Sequence, residues 1–499
     1  MRFRSTIILM LAIGLMPEGA MGQVEAGQVD KALLRVVVHS EIDLKELEAA
    51  DVHVYARLNA ADGPVLLIGA GAFQAEALVA RALDVKMLDP SMGDKQYYVV
   101  YRMPRLSQSN LGAFGRVLYE DETHAILQMP FEDAERLAEA GAELRAVTLD
   151  PKPMAVLDET HLAPVLIAPD TFIQEMIAQV DSATVYQYTG DLSGEWPATV
   201  GGSPYTIVTR HTYSGDPIQK ATQYVGEHLE ALGVPVEYHQ WGDSTCPNVI
   251  GEIPGQGSPD SIVIICAHVD DMPWGPVAPG ADDNASGTTA VLVAADIMTQ
   301  YDWHYTLRFA LWTGEEQGLM GSHYYAQRCH DLGEPIVGVL NLDMIAFNSI
   351  ASSPDIDLHA NQSMPETLDL AQLFADAVSA YGLDLICQIV PNGIGASDHA
   401  SFWDYGYAAI LGIEDLGDFS PYYHTTSDQL QYFDMDYYIE FVKASLATSA
   451  HMAGVHADDM VLPSITAPSC ALLALVLMFV GLRELAGIRS RGRSQMSPH

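Results

Sequence analysis

Ser261-Ile262-Val263-Ile264-Ile265-Cys266-Ala267 is an unbroken, largely apolar run that leads straight into His268-Val269-Asp270. A run this short and this rich in branched side chains reads as a strand buried on both faces, the kind found in parallel sheets. Two further runs repeat the design. Leu307-Arg308-Phe309-Ala310-Leu311-Trp312-Thr313 passes through Gly314 into Glu315-Glu316, and Ile336-Val337-Gly338-Val339-Leu340-Asn341-Leu342 ends on Asp343. In an open α/β sheet, ligand sites lie outside the carboxyl ends of the strands, so side chains distant in sequence can meet there. Between the first two strands lies Gly280-Ala281-Asp282-Asp283-Asn284-Ala285-Ser286-Gly287, just ahead of the helical run Thr288 to Met298. Later comes Tyr422-Tyr423-His424-Thr425-Thr426-Ser427-Asp428. The fold expected over residues 171–459 is α/β, a mixed and mostly parallel sheet flanked by helices.

Upstream, residues 23–165 alternate β-rich runs with amphipathic helices in three loose strand–helix units, at 33–55, 65–88 and 125–147. Such alternation argues for a smaller N-terminal α/β region, ferredoxin-like in pattern. No constellation of reactive side chains converges there. Gly69-Ala70-Gly71 follows a strand, but Gln74 replaces the third glycine of a dinucleotide loop, so the motif carries no weight. The region reads as a pro-region, a chaperone or a docking module. A segment rich in proline and acidic residues, from Asp150 to Asp170, separates it from the larger α/β domain.

The two ends speak of location. Arg2 and Arg4 precede the apolar run Ile7 to Met16, and Pro17 with Ala20-Met21-Gly22 comes after it. That order predicts a signal peptide over residues 1–22 and an exported, secreted or cell-surface protein. Residues 460–499 carry Pro463 and Pro468, the apolar stretch Cys470 to Leu482, and then Arg483, Arg489, Arg491 and Arg493. The stretch is short for a spanning helix, which needs about 20 residues. It is expected to act as a sorting tag or membrane anchor, engaging a membrane or a sorting machinery through an arginine-flanked end.

Composition narrows the classes further. The chain has 499 residues, 49% hydrophobic and 18% charged, with a formal charge of −41. That is enough apolar material for more than one core, and a surface so acidic repels phosphate backbones, which argues against nucleic-acid binding. Four cysteines of the body (Cys246, Cys266, Cys329 and Cys387) show no metal-site spacing, and no pairing can be read from them. Cys266, at the end of an apolar run, reads as a buried small residue. There is no HExxH, GxSxG or phosphate-binding loop. Ser397-Asp398-His399 is no catalytic triad, because adjacent residues cannot face one another in that geometry.

Singly, each strand-end element is ordinary: an Asp before a helix is usually a cap, and a Glu pair is usually solvated. The ordered set is not. His268-Val269-Asp270, Gly280 to Gly287, Thr313-Gly314-Glu315-Glu316-Gln317-Gly318, Asn341-Leu342-Asp343-Met344 and Tyr423 to Asp428 resemble the co-catalytic di-zinc exopeptidases. That family includes bacterial secreted leucyl aminopeptidases and glutamate carboxypeptidase. The resemblance covers about Tyr205 to His451 and leaves the N-terminal region untouched. It implies the zinc exopeptidase fold and two Zn2+ ions. Asp283 would bridge the two; His268 and Asp343 would complete one ion's protein ligands, and Glu316 and His424 the other's. The family ligand lies four residues before the glycine of the Ser-Gly pair, which selects Asp283 over Asp282.

The same resemblance makes Glu315 the general base and Asp270 the carboxylate that orients His268. It leaves Tyr423 between hydrogen bonding to the reaction intermediate and plain packing. The chemistry matches the residue types. Zinc takes imidazole and carboxylate ligands and leaves a position open in catalytic sites. Coordinated water then ionises near pH 7, and a carboxylate beside it can carry the proton to a leaving amine. The implied activity is a secreted aminopeptidase acting on peptide or protein N-termini. Alternatives on the same scaffold are a carboxypeptidase, a single-zinc glutaminyl cyclase or a non-catalytic receptor-like homologue. A carboxypeptidase needs a cation for the substrate carboxylate, and the motifs are poor in Lys and Arg, with Arg308 and Arg328 nearest in sequence.

Overall fold

The computed structural model describes residues 31–154 and 168–454, apart from residues 61, 62, 82, 107–109, 243 and 350. The expected signal peptide, the C-terminal tail with Cys470, and most of the acidic connecting segment lie outside the described residues. Among the described residues, no helix is long and apolar enough to cross a membrane.

Two small modules come first. The first is β1 (Ala32–Val37), α1 (Glu41–Glu48), β2 (His53–Ala60), β3 (Gly63–Ala70), α2 (Ala72–Ala80) and β4 (Asp84–Asp89). Its strands lie in the order β2-β3-β1-β4, all antiparallel, which is the ferredoxin-like arrangement. The second module has β5 (Tyr97–Tyr101), β6 (Arg116–Glu120), β7 (His124–Gln128), α3 (Phe131–Glu139) and β8 (Glu143–Ala146). Its order, β6-β7-β5-β8, is the same. The three units seen in the sequence therefore resolve differently. The first two form one module, and the third is the second half of the next. The missing half was hidden because two short 3-10 turns, Pro104–Leu106 and Leu111–Ala113, replace its first helix and carry no helical periodicity.

The β6–β7 turn of the second module is an acid-sensitive point. Asp121 accepts hydrogen bonds from the main-chain amides of Thr123 and His124 and from the Thr123 hydroxyl, at 2.8, 2.9 and 2.7 Å. Burial alone would raise its pKa, but these bonds outweigh burial and hold it at about 2. A carboxylate depressed in the folded state stabilises above its unfolded pKa and loses that contribution as pH falls toward its folded one. The expected result is a wild-type unfolding temperature that drops more steeply between about pH 4 and 2 than that of Asp121→Asn, read by thermal melts across that window.

The larger domain begins with α4 (Thr171–Ile177), α5 (Ser182–Leu192), the hairpin β9 (Ala198–Val200) and β10 (Ser203–Tyr205), and α6 (Asp216–Ala231). It continues through β11 (Val236–His239), β12 (Asn248–Ile253), β13 (Ser258–His268), α7 (Gly287–Met298), β14 (Tyr305–Trp312) and α8 (Met320–Leu332). The rest is β15 (Ile336–Leu342), β16 (Asp355–His359), α9 (Pro365–Tyr381), β17 (Ile386–Val390), α10 (His399–Asp404), β18 (Ala409–Glu414) and α11 (Met435–Ala453). Eight strands form one mixed sheet in the order β11-β12-β14-β13-β15-β18-β16-β17. Its centre, β14-β13-β15-β18, is parallel.

Alternation along β13 shows how both faces are covered. Val263, Ile265 and Ala267 join a core with α4–α7, α9 and α11. Ile262, Ile264 and Cys266 face the opposite core with α8 and α10. At about 25 cal/mol per Å2 of apolar surface removed from water, a strand buried on both sides is among the most stabilising parts of a domain. Cys266 is buried as expected, and all four body cysteines are free thiols.

Candidate active site

The central parallel strands are in register at their carboxyl ends. His268 of β13 sits opposite Trp312 of β14, and Cys266 opposite Asn341 of β15. The chain thus delivers His268, Glu315-Glu316 and Asp343 to one edge of the sheet. Asp283 arrives from the turn that enters α7, and His424 from the loop after β18. All six side chains are buried.

Their polar atoms converge. His268 Nε2 lies 3.2 Å from Asp343 Oδ1 and 3.4 Å from Asp283 Oδ1. His424 Nε2 lies 2.9 Å from Glu316 Oε2 and 3.3 Å from Asp283 Oδ2. Asp283 therefore presents one carboxylate oxygen to each imidazole. Two overlapping sets, His268 with Glu315 and Asp343, and His268 with Asp283 and Glu316, hold their potential donor atoms within 4.8 Å of one another. Asp282 is turned elsewhere, its Oδ1 accepting from the Ala346 amide at 3.0 Å.

A second layer holds these groups in place. The Asp270 carboxylate accepts from Thr212 Oγ1 at 2.8 Å and from the amides of Glu315 and Glu316 at 3.4 and 3.3 Å, bracing the turn that carries both glutamates. His268 Nδ1 lies 3.1 Å from the main-chain carbonyl of Asp270 and 3.8 Å from its carboxylate. Tyr423 is buried, stacks on His424 with ring centroids 3.7 Å apart, and donates its hydroxyl to Glu143 at 2.6 Å. Asp428 accepts from the amides of Asp282 and Asp283 at 2.9–3.1 Å. Ser397 of the Ser-Asp-His segment donates to Asp343 Oδ2 at 2.7 Å and accepts from Asn341 Nδ2 at 2.8 Å.

Sequence reading gave no site role to Ser397, Thr212, Asp428 or Arg210. Their only signal was proximity to a motif, since small polar residues near a strand end have many bland uses. Arg210, fully buried, donates to the carbonyls of Val269, Leu192, Pro279 and Gly280 and knits the loops beneath the site together. Ser397 gives a measurable consequence. Groups that orient metal ligands typically contribute 10–100-fold to metal affinity, so Ser397→Ala is expected to weaken zinc binding by about that factor, read by competition with a chelating dye.

The electrostatics call for a cation. Burial pushes the Glu315 carboxyl well above the usual range, and nearby Glu143 pushes it further. Burial and Asp283 do the same to Glu316. For His268 burial would lower the pKa, but Glu315, Asp343 and Asp283 outweigh it and raise it well above the ordinary value. Glu315 Oε1 and Glu316 Oε1 are buried and accept no hydrogen bond among the described residues. Four carboxylates with two imidazoles, buried and with no lysine or arginine paired to them among the described residues, form a donor set that suits zinc.

Beside these groups lies a cavity lined by Met103, Glu143, Asp283, Asp343, Met344, Ile394, Ala396, Leu411, Ile413 and Tyr423. Its free volume is about 10 Å3. Among the described residues, no lysine or arginine lines it. Arg308 pairs instead with Glu252 and Glu334, and Arg328 with Glu237, away from the cavity.

Comparison with known proteins agrees with this geometry. Residues 248–449 match the model of peptidase family M28. Leucine aminopeptidase 1 of Aspergillus fumigatus is 28% identical over 265 residues, covering 50% of this chain and 66% of that protein. A probable leucine aminopeptidase 1 of Trichophyton verrucosum is 30% identical over 250 residues, covering 46% and 64%. The chain thus spans just under two thirds of these relatives' own length. Among solved structures, the Legionella pneumophila LapA aminopeptidase superposes with a TM-score of 0.58 at 17% identity, covering 72% of this chain and 99% of that one. LapB of the same organism gives 0.57 at 18%. The fold is shared with these structures, and the stretch that matches the peptidase family model carries Asp283, His268, Glu315, Glu316, Asp343 and His424.

Proposed function

We propose that the protein is a secreted zinc aminopeptidase that removes residues from the free N-termini of peptides. The observation that carries this reading is Asp283, whose Oδ1 faces His268 and whose Oδ2 faces His424. A carboxylate shared in this way suits a pair of ions, with His268 and Asp343 holding one and Glu316 and His424 the other. When bound, zinc supplies a Lewis acid for the scissile carbonyl and acidifies coordinated water to a pKa of about 7. Glu315 takes the proton of the attacking water and delivers it to the departing amine. Asp270 fixes the turn on which Glu315 and Glu316 ride, and Ser397 fixes Asp343. Met344, Ile394, Leu411 and Ile413 offer an apolar wall to the substrate's first side chain. The absence of lysine and arginine from this wall favours a substrate ammonium over a carboxylate, and so an aminopeptidase over a carboxypeptidase.

The N-terminal Arg-flanked apolar segment supports export, and the C-terminal one supports a tag or anchor. The test compares a leucyl anilide bearing a free amine with its N-acetylated twin, using the mature body with zinc. Cleavage of the free-amine compound alone, abolished by a chelator, is the expected result. Cleavage of the acetylated compound, or activity indifferent to chelation, would overturn the reading.

A further inference from the structure

A second cavity lies in the larger domain. Among the described residues, none that lines it belongs to the buried cluster or to the N-terminal modules. Its free volume is about 200 Å3. That exceeds the roughly 150 Å3 of a cavity that admits benzene. Val208, Val277, Pro279 and Leu430 form its apolar walls, and Ser193, Glu195 and Gln429 its polar part.

The chain builds this cavity at the end of α5. Ser193 caps the helix, and Gly194, at φ +73°, turns the chain back. A Cβ on Gly194 would stand 2.4 Å from the Ile207 carbonyl oxygen, so glycine lets the helix end settle against Ile207-Val208. The Val208 carbonyl accepts the Ala278 amide at 2.9 Å, which brings Val277 alongside Val208. Both valines are exposed, so the cavity is reachable from solvent.

Three features select a positive charge. The cavity sits at the C-terminal end of α5, the negative end of the helix dipole. Glu195 adds an exposed carboxylate, and no lysine or arginine lines the cavity among the described residues. The Ser193 hydroxyl is buried and has no hydrogen-bond partner among the described residues. A buried hydroxyl left in that state is costly, and its lone pairs accept from an N–H that enters. Arg210 adjoins the cavity through the Leu192 and Pro279 carbonyls, but Asp271, 3.4 Å away, offsets its charge.

We infer that this cavity binds a cationic group carried on an apolar stem, the chemistry of a lysine side chain on a peptide or of a free alkylamine. The valines, Pro279 and Leu430 take the methylenes, and Glu195 and the Ser193 hydroxyl receive the ammonium. The field of a chain with a formal charge of −41 draws such groups in.

The test follows the methyl resonances of Val208 and Val277 in valine-labelled, zinc-loaded protein. The probes are Nα-acetyl-lysine amide, n-butylammonium and Nα-acetyl-norleucine amide, which keeps the stem without the charge. Saturable shifts are expected with the first two, and binding at least ~10-fold weaker with the third. Glu195→Gln is expected to weaken the lysine compound about 3–5-fold, the modest effect of an exposed carboxylate. Val277→Phe fills the cavity and should abolish the shift at Val208. Equal shifts with the norleucine compound would make the cavity merely apolar and overturn the inference. So would no shift with any probe, or lysine binding indifferent to Glu195→Gln. Binding of n-butylammonium without the lysine compound would uphold the cation and assign it to a free amine. The methyls report occupancy directly, so each outcome stands whether or not the buried cluster hydrolyses peptides.

Discussion

Glu315→Gln is expected to lower kcat on leucyl anilide by about 10²–10⁴-fold while zinc content and KM stay close to wild type. Glutamine keeps the size of the side chain and can still hydrogen bond, but it cannot accept a proton from water and pass it on. The residue is buried beside His268, whose Nε2 is 4.0 Å from Glu315 Oε2, so the substitution removes the proton carrier without opening a cavity. Effects confined to kcat would assign Glu315 to the transition state rather than to ground-state binding. Assays on the zinc-loaded protein, with zinc quantified in the same samples, make the comparison. A variant that retains full activity would remove Glu315 from the mechanism.

Asp283→Ala is expected to abolish activity and to uncouple stability from zinc. A metal that binds only the folded state stabilises by mass action, about 4 kcal/mol at a free concentration 1,000 times its Kd. Asp283 faces His268 through Oδ1 and His424 through Oδ2, and their hydrogen bonds, outweighing burial, hold its carboxyl below the usual range. Its loss takes a donor from both positions at once. Calorimetry with and without zinc should show a large shift of Tm for the wild type and little or none for the variant. A variant that keeps the full zinc-induced shift would show that Asp283 is not shared between ions.

The larger domain was legible because its signals are local. Three buried strands, each ending on a reactive side chain, say both what the sheet is and where its functional edge lies. It was the family resemblance that singled out Asp283 over Asp282, and in the structure the two carboxylates face different partners. The N-terminal region was harder for a physical reason. The pairing of its strands depends on long-range register, and the 3-10 turns after β5 have no periodicity to read. Harder still was the contact between Glu143 and Tyr423, because 280 positions separate the two residues and neither sits in a motif that names the other. Packing between units leaves little trace in a single sequence; Gly318 is a case in point, a motif residue whose lack of a side chain lets Ala146 approach.

The central claim is a pair of metal ions held on either side of Asp283. Anomalous diffraction from zinc-loaded crystals, recorded above and below the zinc absorption edge, tests it most directly. Two peaks about 3.5–4 Å apart are expected, one among His268, Asp283 and Asp343 and the other among Asp283, Glu316 and His424. A single peak, or zinc bound away from Asp283, would contradict it.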